Sequence, residues 1–284
     1  MWQQTRFGTK GEIFGIIEKP YKLSSQNSLV VTFPGLGQAM SEKNYLFSNL
    51  RKRLSAIGQW QLQFDYYGHG DSYGELGDVT ITSMVDNSIE VINSVVKDNK
   101  PKCIYLVGNA LGAVIAQKVA NMLEYTLNIT CVPILISPPL NLPKVMDVLE
   151  KEIIEKIERE GKLDSQLLVP GYDYYTLSDF DIDKYKYFTS LGAHMLYLHG
   201  QCISKNMLDE LEQLNPFEII FGSKQCGYII FGEKDNESIN KSMNLSKFKK
   251  FSLKNVMYYY QHPSAMDELI DLIQLIIKKN EKEL

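Results

Sequence analysis

The sequence predicts an α/β fold: a mostly parallel central sheet covered by helices on both faces. Short β-branched apolar runs alternate along the chain with longer helical patterns, the rhythm of strand–helix–strand crossovers. The helical patterns carry one buried face each, as in the closing segment with Met266, Leu269, Ile270, Ile273, Ile276 and Ile277. At 284 residues and 44% hydrophobic content, the chain can bury one large core, or one core with an inserted lid.

The elements follow in order. Gly11 to Ile17 reads as an antiparallel edge strand, and Ser28 to Phe33 as the first core strand, stopped by Pro34-Gly35. A helix through Tyr45 to Leu50 ends near Gly58, and Trp60 to Asp65 is the next strand, followed by a glycine-rich loop. Thr80 to Lys97 is helical, with Met84, Ile89, Val91 and Ile92 among its apolar positions. Cys103 to Val107 is a strand, followed by a sharp turn and the helix Val114 to Leu123. Cys131 to Ile136 is a strand whose Pro133 suggests a start or a bulge. Gly227 to Phe231 and Val256 to Tyr260 read as the last two strands.

Between the Cys131–Ile136 run and Gly227 the alternation breaks. Pro138, Pro139 and Pro143 open this stretch, and an amphipathic pattern follows with Val145, Leu149, Ile153 and Ile157 on one side. The reading is a cap at 140–207, laid over the carboxyl edge of a core made of 1–139 and 208–284, where open α/β sheets bind ligands. Tyr172, Tyr174 and Tyr175, with Asp173, Asp179, Asp181 and Asp183 nearby, are its candidate substrate-binding residues. They suit an apolar acyl chain or a peptide bearing positive charge, or else form a small aromatic core with a solvated acidic edge.

Composition excludes several classes. A net charge of −4 argues against a nucleic-acid partner, which requires clustered cations to offset phosphates. No apolar run is long enough to span a bilayer, and the Met1-Trp2-Gln3-Gln4 start lacks a basic-then-apolar leader. Cys103, Cys131, Cys202 and Cys226 show no metal-ligand spacing, and two of them begin strands, so free thiols and a cytoplasmic setting are expected. No metal or organic cofactor is implied; Gly68-His69-Gly70 is too short to cradle phosphates.

Gly108-Asn109-Ala110-Leu111-Gly112 lies between a strand and a helix, the setting of a nucleophile elbow. The glycines leave room for strand and helix to approach, but the centre is alanine. Phe33-Pro34-Gly35-Leu36-Gly37 is similar to an H-G-x-G oxyanion loop, with Pro34 in place of histidine. Asp65-Tyr66-Tyr67-Gly68-His69-Gly70-Asp71-Ser72 is similar to D-x-R-G-H-G-x-S, with Tyr67 in place of arginine, and Gly232-Glu233-Lys234-Asp235 to a G-x-x-D stretch. On these motifs the chain resembles the α/β-hydrolase superfamily, in particular its capped serine aminopeptidase and lysophospholipase members, over nearly its whole length.

That resemblance implies the α/β-hydrolase fold with a cap inserted after the sixth strand, and a serine hydrolase of acyl esters, thioesters or amides, or of peptides. Ala110 would hold the nucleophile position, Asp235 would be the acid and His262 the base, with the amides of Leu36 and Leu111 as the oxyanion hole. Pro34 lacks an N–H, but the donor needed is that of Leu36. His69 is expected to hold its own loop, and His194, His199 and Ser137 to be structural.

Alanine has no lone pair with which to attack a carbonyl, so covalent transfer through position 110 is excluded. Two accounts remain. One is a Ser→Ala change made to trap a ligand in an otherwise active hydrolase, favoured by the intact acid, histidine and hole. The other is a natural non-hydrolytic protein, either a binding protein or a lyase or isomerase using His262 as base.

Overall fold

The computed structural model describes residues 2–21, 27–168, 181–193 and 201–283. Eight strands form one sheet in the order β1-β2-β4-β3-β5-β6-β9-β10. They are β1 Trp2–Phe7, β2 Ile13–Glu18, β3 Leu29–Phe33, β4 Trp60–Phe64, β5 Cys103–Asn109, β6 Thr130–Ile136, β9 Gly227–Gly232 and β10 Phe248–Leu253. β1 and β2 join antiparallel, and β4 through β10 run parallel.

Side-chain alternation divides the core into two layers. Leu29, Val31 and Phe33 of β3 face α2 (Ile81–Val96) and α3 (Leu111–Leu127), whereas Val30 faces α1 (Leu46–Ser55) and α11 (Pro263–Glu283). Both layers are apolar because a parallel sheet with helices on each side has no wet face. Cys103 and Cys131 are buried free thiols in these strands. No helix among the described residues is long and apolar enough to cross a membrane.

The last strand lies elsewhere than the sequence suggests. Val256 to Tyr260 is a bend leading into a 3-10 turn at Tyr259–Gln261, and the edge strand is β10, Phe-Lys-Lys-Phe-Ser-Leu. The tyrosine run has strand propensity, but its rings pack on one another: Tyr258 stacks on Tyr260 at 5.3 Å, and Tyr259 is buried against the α11 layer. An edge strand needs no continuous apolar run, and Lys249 and Lys250 also guard it against further pairing. β1, with its polar Gln3, Gln4 and Thr5, is hidden from pattern reading for the same reason.

Between β6 and β9 the chain forms α4 (Val145–Val148), α5 (Lys151–Glu160), β7 (Lys162–Asp164), α6 (Ser165–Leu168), α7 (Ile182–Ser190), β8 (Cys202–Ser204), α8 (Lys205–Gln213) and α9 (Pro216–Phe221). β7 and β8 pair antiparallel, apart from the main sheet. The single amphipathic pattern read from Val145 to Ile157 is two helices, broken at Leu149–Glu150 where both residues are extended. Ile157, Leu163, Phe188, Leu191 and Leu208 join the α3-side core. Tyr172, Tyr174, Tyr175, Asp173, Asp179, His194 and His199 lie outside the described residues.

Lys184 of α7 is buried, and its ammonium meets Glu150 at 2.5 Å and Asp181 at 3.4 Å. The Glu150 side chain is half exposed and that of Asp181 a third exposed, so each can rehydrate without the lysine. Lys184→Met is therefore expected to change stability by less than about 1 kcal/mol. A urea midpoint showing a loss above about 2 kcal/mol would contradict that expectation.

Candidate active site

The strands deliver the site residues to one edge of the sheet. β5 ends at Asn109, and α3 starts at Leu111, so Ala110 must turn the chain within one residue. Its φ of 54° and ψ of −121° lie in a region that L-residues rarely adopt. Gly108 and Gly112 permit the turn by their lack of side chains. A Cβ on Gly112 would press into the Phe33 and Pro34 carbonyl oxygens, and one on Gly108 into the Gly112 carbonyl. Ala110 N–H donates to the Ile136 carbonyl at 3.0 Å, which fixes the elbow to β6.

Leu36 follows β3, and Leu111 opens α3, and both side chains are fully buried. Their backbone amides converge on one oxygen, the carbonyl of Leu191 just after α7: Leu36 N–H donates at 2.9 Å and Leu111 N–H at 3.3 Å. Beside it, the place of a Cβ on Gly192 would be 3.3 Å from the Ala110 methyl. The sequence gives no sign of this, because Leu191-Gly192 matches no motif.

The loop that carries Leu36 is held from below. His69 is buried; its Nε2 accepts from Gly37 N–H at 3.1 Å, while Nδ1 lies 3.2 Å from the Tyr67 carbonyl. Accepting at one nitrogen and donating at the other requires neutral imidazole, and burial pushes its pKa down to about 4. Asp65 accepts from Met40 N–H at 2.6 Å and Asp71 N–H at 2.9 Å, which ties this loop to the glycine loop. Burial raises its carboxyl above the ordinary range.

Sequence reading missed Glu42, which no motif marks. It is buried, with φ 60°, and its carboxylate accepts from Gly35 N–H at 2.8 Å and Lys43 N–H at 2.9 Å. Desolvation raises its pKa to about 7, against the lowering effect of those two backbone donors. It thus braces the residue next to Leu36 from beneath the elbow.

Asp235 and His262 are placed differently. Asp235 caps α10 (Asn236–Ser242), its Oδ1 accepting from Ser238 N–H at 3.2 Å. His262 stands exposed between the 3-10 turn and α11, its Nδ1 2.7 Å from Ser264 Oγ and 3.2 Å from Ser264 N. Among the described residues no hydrogen bond joins Asp235 to His262. The geometry brings together Ala110, Leu36 and Leu111, whereas the described hydrogen bonds of Asp235 and His262 go to Ser238 and Ser264.

A crevice of about 510 Å³ opens where α7 and α4 face the sheet edge, lined by Ser137, Pro138, Ser190, Asp235 and Tyr258 among others. Five carboxylates (Asp147, Asp181, Asp183, Asp235, Glu237) and one lysine, Lys186, face it. Ser137 adopts φ 41° at the end of β6 and lines this crevice. Neither Ala110 nor His262 does. Among the described residues no group of acidic, histidine or cysteine side chains could hold a metal ion.

The strained elbow, the paired amides and the eight-stranded order are accompanied by a direct sequence match: residues 24–174, more than half the chain, fit the profile of the serine aminopeptidase S33 family. The chain belongs to that family. No curated protein matches it significantly. Solved structures of the same fold include Est1E from Butyrivibrio proteoclasticus with bound ferulic acid, at 17% identity, covering 95% of this chain and 94% of that one, TM-score 0.62. A thermostable carboxyl esterase from Bacillus coagulans, bound to glycerol, aligns at 15% identity, 98% of both chains and TM-score 0.67. The thioesterase domain from the curacin biosynthetic pathway aligns at 16% identity, 97% and 99%, and TM-score 0.61. As an S33 member the chain has the α/β-hydrolase fold.

Proposed function

We propose that this chain is a non-hydrolytic S33-family protein that grips the acyl carbonyl of an ester, thioester or amide without cleaving it. The observation that carries the reading is the pair of amides, Leu36 and Leu111, already converged on one carbonyl oxygen above a methyl group. Such donors stabilise charge developing on a carbonyl, and equally hold a neutral carbonyl in place. With serine at 110, the hydroxyl would attack that carbonyl, His262 would take its proton, and Asp235 would orient the imidazole. Here the attacking oxygen is absent, and His262 bonds Ser264 rather than Asp235.

The packing favours this account over a serine hydrolase trapped by substitution. Gly192 lies against both Gly35 and Ala110, so the space above the elbow is filled by the chain itself. The remainder of a ligand would occupy the neighbouring crevice, whose five carboxylates favour an acyl group or peptide that carries a cation. The soluble cytoplasmic setting and the separation into core 1–139 with 208–284 and cap 140–207 are parts of the same proposal.

The test is Ala110→Ser, assayed on p-nitrophenyl esters, acyl thioesters and aminoacyl amides, with a fluorophosphonate probe for an activated serine. Expected is no turnover and labelling no faster than that of a surface serine. Turnover of any of these at about 1 s⁻¹ or above, an ordinary enzymatic rate, would show instead a complete hydrolase lacking one atom.

A further inference from the structure

We infer that the Leu191–Gly192 peptide is an internal ligand of the carbonyl hole, an autoinhibitory strap that an incoming acyl or peptide carbonyl must displace. This rests on the carbonyl-binding reading above and adds how that site is closed. The Leu191 oxygen takes both donors, Leu36 N–H at 2.9 Å and Leu111 N–H at 3.3 Å, so no donor of the hole is free for a second carbonyl. Ala110 is only 4% exposed, and the crevice stops at Ser190, one residue short of the strap.

The seating depends on two glycines meeting back to back. A Cβ on Gly192 would stand 2.7 Å from Gly35 Cα, and one on Gly35 2.8 Å from Gly192 Cα. Gly192 also adopts φ 94°, open to glycine and costly for other residues. The strap is tied to the end of α7: Gly192 N–H donates to the Thr189 carbonyl at 2.9 Å, and Ala193 N–H to that of Phe188 at 2.9 Å. The Leu191 side chain is buried in the α3-side core.

Displacement conserves hydrogen bonds. The ligand's carbonyl would replace that of Leu191 on the two amides, and the Leu191 carbonyl would turn to water. Occupancy is then a competition between strap and ligand, decided by how tightly Gly192 and Leu191 pack. No bond is made or broken.

The experiment compares the parent with Gly192→Ala. Amide hydrogen exchange is read at Leu36 and Leu111, with Val107 as a reference inside β5, and binding is measured for N-acetyl-Leu-Gly-amide, which mimics the strap. Expected are at least tenfold faster exchange at Leu36 and Leu111 with Val107 unchanged, and at least tenfold tighter peptide binding. Unchanged exchange at both amides in a folded variant overturns the strap. Faster exchange without any peptide binding upholds the strap and removes the carbonyl-binding reading instead. Leu191→Ala keeps the backbone carbonyl but removes the apolar anchor, and decides the matter by the same exchange readout should Gly192→Ala fail to fold.

Discussion

Gly112→Ala is expected to destabilise the protein by at least about 3 kcal/mol, the upper range for overpacking a closed interior. The added methyl would press into the backbone oxygens of Phe33 and Pro34, which end a central strand and cannot rotate away. Relief requires α3 to move off β3, and that movement also pulls Leu111 away from Leu36 and breaks the shared carbonyl contact. Gly161→Ala is the control. It sits at φ 76° with nothing within 4 Å of the new methyl, so it reports the backbone cost alone, about 1 kcal/mol. Urea denaturation of both variants separates crowding from backbone strain, and a Gly112→Ala loss no larger than that of Gly161→Ala would refute the steric account.

The second large effect is a pair of opposed pH dependences beneath the loop that carries Leu36. The folded pKa of Glu42, about 7, lies above the ordinary 4.5, so the folded state holds the extra proton between those values. Its contribution is fully present below pH 4.5 and is lost as pH rises to about 7, by on the order of 3 kcal/mol. His69 has the opposite sign. Its folded pKa of about 4 lies below the ordinary 6.5, so its neutral burial contributes fully above pH 6.5 and is lost as pH falls towards 4, again by on the order of 3 kcal/mol. The two offset each other in the parent. Glu42→Gln is expected to uncover stability that rises with pH between about 4.5 and 7, and His69→Gln stability that falls over the same window. Urea unfolding at pH 5 and pH 8 reads each slope relative to the parent, and parallel curves for all three proteins would contradict the assignment.

The elbow was legible because its requirements are local. Two glycines flanking one residue, after a buried strand and before a helix of small residues, specify a close crossing wherever they occur, and Ala110 takes the strained φ that the pattern implies. The bracing role of His69 was legible for the same reason, since it lies in a short loop whose glycines restrict its shape and its ring bonds the Tyr67 carbonyl within that loop. Edge strands were not legible, because β1 and β10 bury only part of their surface and so carry mixed polar sequences.

What the sequence determined by itself was the layered α/β fold, the sharp turn at Ala110 and the absence of a nucleophilic oxygen there. Hydrophobic runs, glycines and side-chain chemistry act over a few residues and can be read in order. Only the tertiary structure decided that the Leu191 carbonyl, some eighty residues from the elbow, takes the amides of Leu36 and Leu111, that Glu42 is buried beneath the Leu36 loop, and that His262 bonds Ser264. A backbone carbonyl is common to every residue, and a carboxylate's pKa depends on the water it has lost, so neither has a local signature.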